Sequence, residues 1–293
     1  MLFLIGSIIF TSWLTLSFKI VARYKISTIQ SIVFNYISSV ITGSFVNGIF
    51  PINSATFHQA WFPWACVMGI IFISLFNVIA QTAQKIGVAV ASVANKLSLI
   101  IPFLFSLYLY NEKATVLKIA GVGVALAAVL LTCWPGKQAQ TNRRGISRGL
   151  MILLPLILFL ASGLLDTMIK YVEHSFLNNE NQNAYLITAF SVAADIGVLV
   201  LILLFSTGRQ KFEPRSVVAG ICIGVPNYFS IWCLLRVLKQ NAGNSSAIIP
   251  INNMGIVLFS TVIAWLFLKE KLSALNWAGI ILSLGAIALI AFG

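Results

Sequence analysis

The chain has 293 residues, 59% of them hydrophobic and only 9% charged, with a formal net charge of +12. An ordinary soluble domain carries about 25% charged residues, so this composition excludes one and predicts an integral membrane protein. The positive balance is scattered over short connections rather than gathered on a basic helix interleaved with aromatics, so no nucleic-acid partner is expected.

Apolar runs of about 20 residues, each long enough to cross the hydrocarbon as a helix, recur from end to end. The expected spans are 2–22, 28–47, 61–84, 88–110 and 114–134, then 148–172, 184–205, 215–238, 244–268 and 273–292. Met1-Leu2-Phe3 lacks the basic start of a secretory signal, and the first run is read as a retained helix. A polar, basic stretch at 136–147 is the clear composition break. It divides the chain into a first five-span unit, 1–135, a linker, and a second five-span unit, 148–293. The expected fold class is an all-α membrane protein with ten transmembrane helices as two inverted five-helix repeats.

The repeat is carried by rare residues. Sliding the first unit onto the second by about 158 residues matches Glu112-Lys113 with Glu270-Lys271, Ala120-Gly121 with Ala278-Gly279, and Asn95 with Asn253. An odd number of spans per unit makes the second enter the membrane from the opposite side, so matched residues are expected to face each other across the midplane. Connections 1–2, 3–4, 5–6, 7–8 and 9–10 hold most of the lysine and arginine, among them Lys19, Arg23, Lys25, Lys85, Arg209, Lys211, Lys269 and Lys271. That side is expected to be cytoplasmic, with both termini outside.

Trp61, Trp64, Trp134 and Trp277 lie at span ends, where an interfacial aromatic belt is expected. Glu112 and Glu270 just precede spans 5 and 10. A carboxylate there either caps the positive helix end or pairs with a nearby lysine as a gate. Gly121 with Ala125, and Gly279 with Ser283, are spaced one helical turn apart and mark close helix contacts, within one chain or in a homodimer.

A few strongly polar residues fall well inside the spans, where each is costly unless paired or facing water. They are Asn95 and Lys96 in span 4, Asn252 and Asn253 in span 9, Asn77 and Gln81 four residues apart in span 3, and Asn227, Tyr228 and Trp232 in span 8. Asn35 and Tyr36 add to them from span 2, Trp13 from span 1, and Asp166 and Asp195 from spans 6 and 7. The plainer reading of the amides is interhelical hydrogen bonding, worth about 0.6 kcal/mol each. Their convergence on spans 3, 4, 8 and 9 favours a cavity lining. Lys96 calls for a pair with Asp166 or Asp195, for an anionic group on a solute, or for a water-filled cavity. Asp166 and Lys170, at i and i+4, can also satisfy each other. Asp166 and Asp195 are the carboxyls placed for proton coupling.

Enzymatic chemistry finds little support. His58 and His174 lack metal-ligand spacing, and there is no Gly-rich phosphate loop or nucleophile elbow. The four cysteines lie unpaired in apolar runs, so neither disulfide, metal nor cofactor is expected.

The stretch Ser12-Trp13-Leu14-Thr15-Leu16-Ser17-Phe18-Lys19, its echo Ser162-Gly163-Leu164-Leu165-Asp166-Thr167-Met168-Ile169-Lys170, and the Glu-Lys then Ala-Gly signatures in both halves resemble the drug/metabolite transporter superfamily, and within it the EamA-like ten-helix transporters. The resemblance implies alternating access to a central cavity lined by spans 1, 3, 4, 6, 8 and 9, and a small-molecule solute. The expected function is a secondary active transporter of a small organic metabolite, amino acid-like or otherwise polar or aromatic, in the plasma or inner membrane, as a monomer or homodimer. The competing readings are a non-transporting membrane scaffold or accessory subunit, which predicts a tightly packed centre, and an intramembrane enzyme acting on lipid, which predicts catalytic carboxylates or histidines meeting at one interface.

Overall fold

The computed structural model describes residues 2–48, 50–109, 115–133, 148–178, 181–240 and 245–292. Helices fall on all ten expected spans, and no strand occurs among the described residues. The elements are α1 Leu2–Arg23, α2 Thr28–Asn47, α3 Phe62–Lys85, α4 Val88–Leu97, α5 Ile100–Leu109, α6 Val116–Cys133, α7 Arg148–Phe176, α8 Gln182–Ser206, α9 Pro214–Gln240, α10 Ser245–Leu266 and α11 Ala274–Phe292. A 3-10 turn, Ser54–His58, capped by the Asn53 side chain, lies between α2 and α3. Leucines and isoleucines stay exposed along the helices, for example Leu199, Ile202 and Leu203 on α8. An all-helical backbone with an apolar outer surface satisfies its own polar groups in lipid. The protein is an all-α membrane protein.

One span departs from expectation. Span 4, expected to run unbroken over 88–110, stops at Leu97 and restarts at Ile100. The cause is Pro102. It has no amide for the Ser98 carbonyl four residues back, and its ring crowds that carbonyl. The carbonyl takes the Ile101 amide instead at 2.9 Å, one tight turn. The Ser98 hydroxyl binds the Asn95 carbonyl at 2.5 Å, so the last turn of α4 is closed by a side chain.

The helices form two compact units, each drawing on both halves of the sequence. Unit 1 comprises Met1–Lys19, Val78–Asp166 and Ser230–Gly293; unit 2 comprises Ile20–Asn77 and Thr167–Phe229. In unit 1, α6 and α11 pair along their length, each with a glycine against the other helix. A methyl group on Gly121 would meet Leu289 and Ile290, and one on Gly279 would meet Ala128 and Thr132. Those crossed contacts make the pair antiparallel. Ala125 and Ser283 are fully buried, so these small residues serve packing within the chain. The α4–α10 pair is antiparallel too: Ser260 donates to Ser92 at 2.8 Å, and the chain just after α10 returns to the start of α4. Val90, Val93, Leu97, Val257, Ile280 and Ile287 fill the core between these helices.

In unit 2, α2 packs on α8, with Gly43 against Ile187 and Gly197 against Val33, again antiparallel. Spans 2 and 7, 4 and 9, and 5 and 10 therefore each pack head to tail. Tyr36, fully buried, lies among Phe72, Phe76 and Phe190. Trp61 departs from its expected place in an interfacial belt. It is 3% exposed and packs edge-on to Tyr185, because it precedes α3 on the side that faces α8. Trp64 stacks with Phe176 and meets Tyr171 edge-on. Trp134 and Glu112 lie outside the described residues.

Candidate functional site

Several polar groups of unit 1 lie near the interruption of span 4. Asn95 and Lys96 occupy the last turn of α4, half-buried, and Ser98 forms the turn beyond it. The Ser98 hydroxyl also lies 3.4 Å from a carboxylate oxygen of Asp166 on α7. Close α5–α7 packing sets that distance: Gly163, one turn before Asp166, lies directly against Ile101, with no room for a side chain between them. Asp166 remains exposed rather than packed into protein. Lys96 and Asp166 attract each other without closing an ion pair.

Helix register brings the α10 amides to the same level. Asn253 precedes Ser260 by as many residues as Leu99 follows Ser92, so from the Ser92–Ser260 contact both lie about 10 Å along antiparallel axes at 1.5 Å per residue. Asn252 and Asn253 are buried, and the Asn252 Oδ1 has no hydrogen-bond partner among the described residues. A buried amide oxygen left unbonded costs about 1–3 kcal/mol.

The remaining expected site residues lie elsewhere. On α3, Asn77 bonds back to the Ile73 carbonyl at 2.8 Å, and the exposed Gln81 accepts from Lys85 at 3.0 Å. In unit 2, Asn227 donates to the Asn35 Oδ1 at 3.2 Å and lies 3.5 Å from the Ser39 hydroxyl, an interhelical knot between α9 and α2. Tyr228 is buried against Gly43. Asp195 stands exposed on α8. In unit 1, Trp13 is 38% exposed on α1, and Trp232 packs edge-on to Phe3 with the Arg236 guanidinium 4.8 Å over its ring. The Lys170 side chain lies outside the described residues.

Sequence reasoning missed Ser98 and the Ser92–Ser260 contact. Pro102, whose effect reaches back four residues, was the available signal for Ser98. Glu270 was expected either to cap span 10 or to pair with a nearby lysine; its carboxylate instead caps α4, accepting the Val88 amide at 2.8 Å, and it also lies 3.7 Å from the Lys19 ammonium. The loop after α10 ends beside α4, and that helix offers the nearer orphan amides.

Residues 149–292 match the family model described as the EamA-like transporter family. An uncharacterized protein of Haemophilus influenzae is 29% identical over 275 residues, covering 92% of this chain and 90% of its relative. A solved crystal structure shares the fold with a TM-score of 0.62 at 15% identity, over 98% of this chain and 94% of that one. Spans 6 to 10 therefore match the EamA-like transporter family, and the likeness to the solved structure extends the shared fold over the rest of the chain.

Proposed function

We propose that the protein is a secondary transporter that moves a small organic solute by alternating access, with two five-span repeats, 1–135 and 148–293, rocking about a site at the interruption of span 4. The single observation that supports this most is the Asp166 carboxylate standing 3.4 Å from the Ser98 hydroxyl at that interruption, where Lys96 occupies the last turn of α4. Broken helices expose backbone and side-chain polar groups at the depth where a carrier binds its cargo. A solute bearing both an anionic and a cationic group fits this arrangement: Lys96 takes the anion, Asp166 the cation, and the Asn252 oxygen a donor. The protein sits in the plasma or inner membrane with its basic connections in the cytoplasm.

The test has two stages. Purified protein is screened for thermal stabilisation by amino acids, nucleobases, sugars and vitamins, and hits are then followed as labelled solutes into proteoliposomes. Transport is expected to vanish in Lys96→Ala and in Asn253→Ala while both variants fold. Full transport in both would remove the site from this place. A chain that moves none of these solutes and is stabilised by none would favour the scaffold reading.

A further inference from the structure

The basic end of unit 1 carries a charge knot that the solute site does not use. Lys19, at the end of α1, donates to the carbonyls of Ala83 and Gln84, both at 3.2 Å, in the last turn of α3. In return the Gln84 side-chain amide donates to the Phe18 carbonyl at 3.0 Å. The Lys19 ammonium also lies 3.7 Å from Glu270, whose side chain is only 8% exposed. Glu270 spans the start of α4: one oxygen accepts the Val88 amide at 2.8 Å and the other lies 3.5 Å from the Ala89 amide. Gly87 makes room for it, with φ at +148° and a position where an added methyl group would come within 3.1 Å of the carboxylate.

Three first-half helix ends are therefore tied to the connection between spans 9 and 10 through one lysine and one glutamate. The carboxylate serves two positive partners at once, the Lys19 ammonium and the orphan amides of α4. The Glu270 side chain is 8% exposed, so losing Lys19 leaves its charge buried with only the α4 amides as partners. The helix it holds is the one whose last turn carries Asn95 and Lys96, with Ser98 just beyond it.

We infer that Lys19 and Glu270 form a latch that closes the basic end of α4 over the polar interruption of span 4, and that releasing it admits water to that site from the basic side. Glu270 acts as a positioning residue and touches no solute. The inference rests on the transport reading for its purpose, but its test needs no solute.

The reporter is Ala91→Cys, 1% exposed and one turn before Asn95 on the same face of α4, in a chain whose four native cysteines are replaced by serine. Reconstituted protein is treated with a membrane-impermeant maleimide from each side in turn. With the latch intact, labelling from the basic side is slow. Glu270→Gln and Lys19→Met are each expected to raise that rate by about tenfold or more, the change in open population that a 1.4 kcal/mol bias produces. Lys19→Arg, which keeps the charge, is expected to stay slow. Labelling from the opposite side should not change, and thermal unfolding of each variant is recorded alongside.

A rate within about twofold of the parent in both loss-of-charge variants overturns the latch. So does an equal rise from both sides, which would mean general loosening. Should Glu270→Gln fail to fold, Lys19→Met leaves the cap on Val88 in place and carries the test alone. Faster one-sided labelling in a protein that transports nothing would keep the latch and remove the transport reading; unchanged labelling in an active transporter would do the reverse.

Discussion

Gly279→Ala adds one methyl group to the antiparallel α6–α11 pair. That carbon would stand 2.5 Å from the Thr132 amide nitrogen and 2.9 Å from the Ala128 carbonyl oxygen, and closer still to the Thr132 hydroxyl. Two of these are backbone atoms that cannot rotate away. The helices must part by about 1 Å to reach ordinary contact, a gap that forfeits a quarter to a half of the dispersion well for the atoms around it. Overpacking of this kind costs about 1–3 kcal/mol. The shift also strains the Asn276 amide bond to the Thr132 carbonyl at 2.7 Å, and an interhelical bond in a bilayer is worth about 0.6 kcal/mol. Alanine's better helix propensity returns up to about 1 kcal/mol, leaving a net loss of about 2 kcal/mol. The assay is reversible unfolding in mixed micelles of mild detergent and dodecyl sulfate, followed by circular dichroism. Gly123 on α6 and Gly285 on α11 are internal controls, because a methyl group on either meets nothing within 4 Å. Their alanine variants should be neutral or slightly more stable. A Gly279→Ala variant within about 0.5 kcal/mol of the parent, or a Gly123→Ala variant that loses as much, would refute the reasoning from close approach.

Lys96→Met is expected to stabilise the fold by about 1–2 kcal/mol in the same titration, since a lysine at mid-membrane costs about 2.5–3.5 kcal/mol unless water or a partner offsets it, and to abolish transport at the same time. Asn35→Leu removes the acceptor of the Asn227 amide and should cost about 0.6–1.7 kcal/mol, the range of measured interhelical bonds, with a lowered unfolding midpoint as the readout. Cys222 is exposed on α9 whereas Cys233 is buried against Gly6; a lipid-soluble maleimide should label the first and spare the second until the protein is unfolded, as mass spectrometry of tryptic peptides would show.

Much of the fold was legible because lipid makes the helix obligatory. A run such as 184–205 has no other way to bond its backbone, and the observed Gln182–Ser206 differs from it by only a few residues. The interruption of span 4 was less legible. Pro102 was visible, but α7 and α9 carry Pro155 and Pro226 inside continuous helices, so a proline alone does not announce a break. The candidate site was legible in part. Lys96, Asp166, Asn252 and Asn253 stand out as polar groups in apolar runs, but so do Asn77 and Asn227, which bond within their own surroundings.

From residue order alone came the membrane setting, the spans, the matched halves and the short list of costly polar groups. These depend on local properties: hydropathy over one helix length and the spacing of rare residues. Tertiary structure decided which of those groups meet. Whether an asparagine bonds its neighbour or stands unbonded, and whether Glu270 caps its own helix or α4, is set by which helix surfaces lie within about 3 Å of each other. That is settled by small-residue contacts such as Gly163 on Ile101 and Gly279 on Thr132, between residues far apart along the chain.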